Sequence, residues 1–124
     1  MKEWFILLQP DTDMIGAVAL DPSGRVLDWY YKTIGCESIE CVSLFFETVK
    51  EGQLIMIVDE EGLYKDLSLN ASASALYIRS GYRGIIVGRA LIGRMVIRCG
   101  EPDVGGFESS DDAMWIADKL RRYM

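Results

Sequence analysis

Residues 53–58 read Gln-Leu-Ile-Met-Ile-Val, and the acidic turn Asp59-Glu60-Glu61-Gly62 follows directly. A short, uninterrupted run of large apolar side chains bounded by turn residues is typical of a strand buried on both faces of a sheet. Gly62 suits the turn because glycine adopts the positive φ angle that many turns require. The stretch therefore predicts a central strand, which the rest of the sequence has to surround.

Further strands are predicted upstream of this segment. Trp4–Leu8 is a short apolar run, and residues 39–46 alternate loosely between apolar and polar side chains. Residues 14–20 and 25–32 flank Asp21-Pro22-Ser23-Gly24, a sequence that favours a tight turn. These two segments are predicted to form a β-hairpin, because Trp29-Tyr30-Tyr31 in the second arm has high strand propensity. Residues 47–52 are predicted to be a polar connection.

Downstream, residues 85–99 are rich in β-branched side chains and predict another strand. Gly88 and Gly93 lie within it and indicate a bulge, a bend, or a hairpin turn at Gly93-Arg94.

Two helices are predicted. A short one follows Asn70, which is a favourable N-cap for the alanine- and serine-rich residues 71–77. The second lies at the C-terminus, where Ser109 or Ser110 caps a first turn that contains two aspartates. Its apolar side chains recur at helical spacing and form one stripe: Ala113, Ile116, Ala117, Leu120 and Met124.

These elements predict an α+β fold in a single domain spanning residues 1–124, since this length is typical of one domain. We expect a small, mostly antiparallel sheet of about five or six strands. The C-terminal helix is expected to pack on one face of that sheet, and the short helix to follow Asn70.

Composition narrows the functional classes. The formal net charge is −6, which argues against general nucleic-acid binding but allows a basic protein partner. Half of the residues are hydrophobic, which is the high end for a soluble protein, and part of this excess is expected at an oligomer interface. Three cysteines and no recognisable signal peptide predict a reduced, cytoplasmic protein, and no run is long enough to cross a membrane.

Charge is segregated along the chain. Between Leu76 and Gly100 every charged residue is an arginine, and the flanking segments are acidic. Arginine without lysine favours forked recognition of carboxylate or phosphate, although surface ion pairs to the acidic flanks explain the same pattern. The predicted ligand-binding residues are those in or nearest the segment 59–70: Lys65, Asn70, Arg79, Arg83 and Arg89. No cofactor is expected. Arg94 and Arg98 are expected to pair with the acidic surface.

Nucleophilic catalysis and metal binding have weaker support from the sequence. The sequence contains no histidine, so Ser-His and Cys-His pairs are excluded, and no catalytic residue is assigned. Asp59, Glu60 and Glu61 are candidate ligands of a hard cation such as Mg²⁺. They are equally candidates for ion pairs with the arginines, or form a solvated turn.

Trp115 lies on the side of the C-terminal helix opposite its apolar stripe, together with Arg122. An exposed tryptophan among charged residues is a candidate anchor for a protein partner or a second copy. The alternative is that Trp115 packs beneath a loop of its own chain.

Several motifs resemble a family known as DUF3846, a domain of unknown function. They are an acidic turn ending in Gly62, Lys65-Asp66-Leu67, Asn70-Ala71-Ser72-Ala73, Gly88-Arg89-Ala90-Leu91-Ile92, and Ile39-Glu40-Cys41-Val42-Ser43-Leu44. An acidic loop and a terminal helix complete the pattern over residues 101–124. The resemblance covers most of residues 35–122 and implies nothing for residues 10–34. It implies an origin in a phage, plasmid or other mobile element, and no established activity.

Three hypotheses of function follow. The first is a non-catalytic binding protein of a phage or mobile element that inhibits a host defence or DNA-processing protein. The second is a binding protein for a nucleotide or other phosphate that uses the arginine-rich segment 79–98. The third is a metal-dependent enzyme built on Asp59, Glu60 and Glu61.

Overall fold

A computed structural model describes residues 2–46 and 53–124 of the chain. The predicted connection at residues 47–52 lies outside this range. The six strands of the described residues are β1 (Trp4–Leu8), β2 (Ile15–Ala19), β3 (Ile39–Leu44), β4 (Leu54–Asp59), β5 (Ala90–Arg98) and β6 (Glu101–Gly105). The α-helices are α1 (Val26–Ile34), α2 (Ala71–Arg79) and α3 (Ser110–Leu120).

All strand pairs are antiparallel, in the order β2-β1-β5-β4-β3, with β6 pairing the second half of β5. The predicted α+β class is therefore confirmed. Strand β4 is central as predicted, and each of its six residues is buried. Successive side chains of a strand point to opposite faces, so β4 contributes to a core on each side of the sheet.

The two cores differ in size. The larger lies under α2 and α3, where Met56 and Ile92 of the sheet meet Leu76, Ile116 and other buried side chains. The C-terminal helix thus packs on one face, as expected, with Ser109 as its N-cap. The smaller core lies on the opposite face under α1 and contains Ile57 and Leu91.

The prediction that residues 25–32 form a hairpin arm is wrong, because residues 26–32 lie in helix α1 and Arg25 is its N-cap. Tyr30 and Ile34 are one helical turn apart, and both are buried against the sheet. That packing outweighs the strand propensity of the aromatic residues. Gly35 ends the helix in the left-handed conformation, with φ +84°, which glycine adopts without steric cost. Strand β2 pairs with β1 instead.

The expected break at Gly93 is also absent. Strand β5 runs through Gly93 without a turn, and a side chain there would lie 2.7 Å from the Phe5 ring and against the Gly105 carbonyl. The glycine is thus explained by close packing.

The chain reverses at Cys99-Gly100, both at positive φ, as a two-residue hairpin requires. Residues 101–105, expected within an acidic loop, form strand β6.

Asn70 links three distant parts of the fold. Its side chain is fully buried, and its Oδ1 accepts a hydrogen bond from Ala73 N–H as the N-cap of α2. Its Nδ2 donates to the carbonyl oxygens of Leu8, at 3.0 Å, and Gly88, at 2.9 Å. One amide therefore fixes the start of α2 against the end of β1 and the entry to β5.

No helix in the part of the chain that the structure describes has the length and apolar character needed to cross a membrane.

Asn70→Ala is expected to lower the free energy of unfolding by about 2–4 kcal/mol, because it leaves buried backbone groups without partners. Ser109→Ala is the matched control, since it removes an exposed N-cap hydrogen bond and should cost about 1 kcal/mol. Urea unfolding followed by circular dichroism measures both. Equal losses would contradict the linking role of Asn70.

Candidate functional site

Lys65 and Asp59 form an ion pair at the end of β4. The Lys65 Nζ lies 2.7 Å from Asp59 Oδ2, and the Asp59 side chain is only 3% exposed, against 36% for Lys65. Asp59 Oδ1 accepts a hydrogen bond from the Glu61 N–H at 2.9 Å. The hydrogen bond to Asp59 raises the pKa of Lys65, so this lysine remains a cation at neutral pH.

The three carboxylates suggested for a metal do not converge. Asp59 is occupied by Lys65 and the Glu61 backbone, whereas Glu60 and Glu61 are exposed. Across residues 2–46 and 53–124, no group of three histidine, cysteine, aspartate or glutamate residues is arranged to hold a metal ion. The structure therefore gives Asp59 a buried ion pair with Lys65, which differs from both the metal site and the solvated turn that the sequence suggested.

Arg89 lies at the same end of the sheet. It directly precedes β5, which pairs with β4, and it lines a cavity of about 290 Å³ together with Asp59 and Asp66. Its Nη1 donates a long hydrogen bond, 3.4 Å, to the Thr33 carbonyl oxygen at the end of α1. Lys65 and Arg89 are thus brought to one end of the sheet, as the sequence predicted.

Arg79 and Arg83 lie elsewhere. They flank Ser80 and Tyr82, and the Tyr82 hydroxyl donates to the Ser43 carbonyl oxygen near the end of β3. Asp59, in contrast, pairs with Ile39 at the start of β3, a separation of four residues or roughly 13 Å along the strand. The structure therefore divides the proposed set of ligand-binding arginines between opposite ends of the sheet.

Asn70 has the structural role already described, since its buried amide uses both oxygen and nitrogen within the protein.

Arg98 pairs with Glu3 at 2.7 Å and Asp103 at 3.2 Å, as expected for the acidic surface. Arg94 donates instead to the Gly106 carbonyl oxygen at 2.8 Å.

A larger cleft beside α1 contains residues that the sequence reasoning missed. We call it the α1 cleft: a cavity of about 580 Å³ lined by Leu7, Gln9, Asp21, Ser23, Gly24, Arg25, Asp28, Trp29, Lys32, Thr33 and Arg89. Arg25 and Lys32 are absent from the predicted ligand-binding residues because residues 25–32 were predicted to form a strand. The spacing of Tyr30 and Ile34 was the signal for a helix that would bring both cations beside Arg89.

Trp115 lies on the solvent side of α3, as the helical spacing predicts, and is 52% exposed. The Lys119 Nζ lies 3.5 Å from the centre of its indole ring, in a cation–π contact. Asp118 and Arg122 complete a shallow cavity of about 310 Å³ around the ring. The predicted pair of partner-binding residues therefore shares one surface, which we call the Trp115 surface.

Two of the three cysteines, Cys36 and Cys41, offer little nucleophilic reactivity. Loss of solvent contact raises the pKa of the Cys36 and Cys41 thiols, and nearby acids raise it further. Because the thiolate is the nucleophile, a raised pKa leaves both side chains mainly as thiols at neutral pH.

Comparison with known proteins gives the family and the fold. A family model described as "Domain of unknown function (DUF3846)" matches residues 1–121, so the chain belongs to this family. No curated protein matches the sequence. The crystal structure of the small RNA methyltransferase HEN1 is similar, with a TM-score of 0.64 and 17% sequence identity. The similar region covers 93% of this chain but 16% of that one, and at this identity it shows the fold alone.

Lys65→Met is expected to destabilise the fold by more than the loss of an exposed ion pair does, because it leaves the buried Asp59 carboxylate without its cation. Because the pKa of Lys65 is raised on folding, its contribution is complete below the ordinary lysine pKa of about 10.4 and is lost as the pH rises further. The difference in unfolding free energy between wild type and variant should therefore shrink above that pH.

Arg25→Met is the control, because it removes the exposed pair with Asp28 and should cost less than about 1 kcal/mol. Denaturant unfolding at neutral and alkaline pH measures both variants. A Lys65→Met effect no larger than that of the control would show that the Asp59 pair is not important for stability.

Proposed function

We propose that this chain is a non-catalytic binding protein of a phage or other mobile element, and that it recognises a host protein through the Trp115 surface. The target class we favour is a protein of host defence or DNA processing, which the chain inhibits by occupying it.

The observation that carries the proposal is the setting of Trp115. A tryptophan with half of its surface in water retains much apolar area for burial against a partner. The Lys119 cation–π contact orients the indole ring, and Arg122 stands beside it. Tryptophan and arginine are the residue types enriched among side chains that dominate binding energy at protein interfaces.

Charge supports the same class of function. The chain carries a formal net charge of −6, so long-range attraction favours a basic partner. Proteins that bind DNA present basic surfaces, which agrees with a target in defence or DNA processing. The sequence lacks histidine and the pKa of two thiols is raised, so binding has more support than nucleophilic catalysis.

The test compares Trp115→Ala with Tyr64→Ala, which removes another exposed aromatic side chain, 90% exposed in the turn after β4. Each immobilised protein is incubated with extract of its own host, and retained proteins are quantified by mass spectrometry. The binding of the purified partner is then measured by calorimetry. Trp115→Ala is expected to weaken it by about 2 kcal/mol or more, roughly thirtyfold, with an unchanged melting temperature.

Tyr64→Ala is expected to bind as wild type does. A partner that binds Trp115→Ala normally would contradict the assignment of the surface. A dimer of this chain that Trp115→Ala dissociates, seen by native mass spectrometry, would place a second copy there and contradict a host target.

A further inference from the structure

The α1 cleft gathers positive charge in an acidic protein. Arg25, Lys32 and Arg89 line it, against two carboxylates, Asp21 and Asp28. They come from three segments: the turn before α1, the helix itself, and the residue that precedes β5. The fold therefore assembles a cationic cavity in a chain whose formal net charge is −6.

The two carboxylates are already engaged with other groups. Asp28 pairs with Arg25 at 3.3 Å. Asp21 accepts hydrogen bonds from the Ser23 N–H at 2.9 Å and the Ser23 hydroxyl at 2.8 Å, which hold the pKa of Asp21 below its usual value. Asp21 thus stays ionised at neutral pH.

Lys32 and Arg89 have most of their donors available. Within residues 2–46 and 53–124, no carboxylate lies at salt-bridge distance from either side chain. Arg89 makes one long hydrogen bond to the Thr33 carbonyl oxygen, although a guanidinium has five N–H donors. The Thr33 contact directs Arg89 toward α1, beside the cavity that Lys32 also lines. A phosphate group offers the acceptors that this pair lacks.

An aromatic wall adds a second kind of contact. Trp29 lines the cleft and is half-buried, with its ring 5.3 Å from Phe5 and 5.7 Å from Tyr30, measured between ring centres. These neighbours fix the indole at the wall of the cavity. A fixed indole is a suitable platform for stacking a planar base.

We propose that the α1 cleft is a binding site for a nucleotide. Lys32 and Arg89 contact its phosphate, and the base lies against Trp29. A cavity of about 580 Å³ is of the size that holds a small organic ligand. This inference is independent of the proposed function, since the Trp115 surface shares no lining residue with the cleft.

The test is calorimetric titration of the full chain with AMP, adenosine and inorganic phosphate. AMP is expected to saturate the protein at about 1 mM or below, and adenosine to bind at least about tenfold more weakly because it lacks the charge. Raising NaCl from about 50 to about 300 mM should weaken AMP binding through screening of the exposed cations.

Arg89→Gln and Lys32→Gln are each expected to weaken AMP binding by about tenfold or more, the loss of one charge-assisted hydrogen bond. Arg83→Gln is the matched control: it neutralises an exposed arginine of the same segment at the opposite end of the sheet and should bind normally. Melting curves of all three variants should match wild type, because the altered side chains are solvent-exposed or at the cleft rim.

No saturation with AMP, or equal weakening by Arg83→Gln and Arg89→Gln, would overturn the site. Adenosine binding as tightly as AMP would overturn the phosphate contact. If inorganic phosphate binds as tightly as AMP, the phosphate contact with Lys32 and Arg89 is supported and the role of Trp29 in binding the base is overturned.

Discussion

The buried amide of Asn70 is the constraint on which the arrangement of this molecule depends. Among the described side chains, only that of Asn70 forms hydrogen bonds to the end of β1, the entry to β5 and the start of α2. Burial makes each of these hydrogen bonds costly to lose, since water is not there to replace it. Gly88, one of its acceptors, directly precedes Arg89, so the same amide positions the arginine beside α1.

The fold, and not proximity in the sequence, decides which lysine and arginine side chains lie close together. Arg98 neutralises Glu3 and Asp103, and Lys65 neutralises the buried Asp59. Those pairs contribute to structure. Arg89 and Lys32, which are 57 positions apart in the sequence, line one cavity, and neither forms a salt bridge with a carboxylate of the described residues. Lys32 and Arg89 therefore keep N–H donors that a ligand in the α1 cleft can use.

Sequence patterns located the elements whose burial is unambiguous. The apolar run before Asp59 predicted the central strand, and the stripe that includes Ile116 predicted α3. Helix α1 was missed because Trp29-Tyr30-Tyr31 has strand propensity, and only packing of Tyr30 against the sheet selects a helix. Gly93 predicted a bulge, a bend or a hairpin turn, but the structure requires glycine there because of the close approach of Phe5. The candidate cleft was not predicted, since it depends on α1 being helical and on the contact between Arg89 and the end of α1.

Native-state hydrogen exchange of the backbone amide of Ala73 tests the central role of Asn70 most directly. This amide donates to Asn70 Oδ1, in the first turn of α2, where helix ends usually fray. If Asn70 ties α2 to β1 and β5, the amide opens only with the whole protein, and its exchange free energy equals that of the β4 amides within about 1 kcal/mol. Exchange at a free energy several kcal/mol lower would show that α2 opens by itself, and would contradict the account.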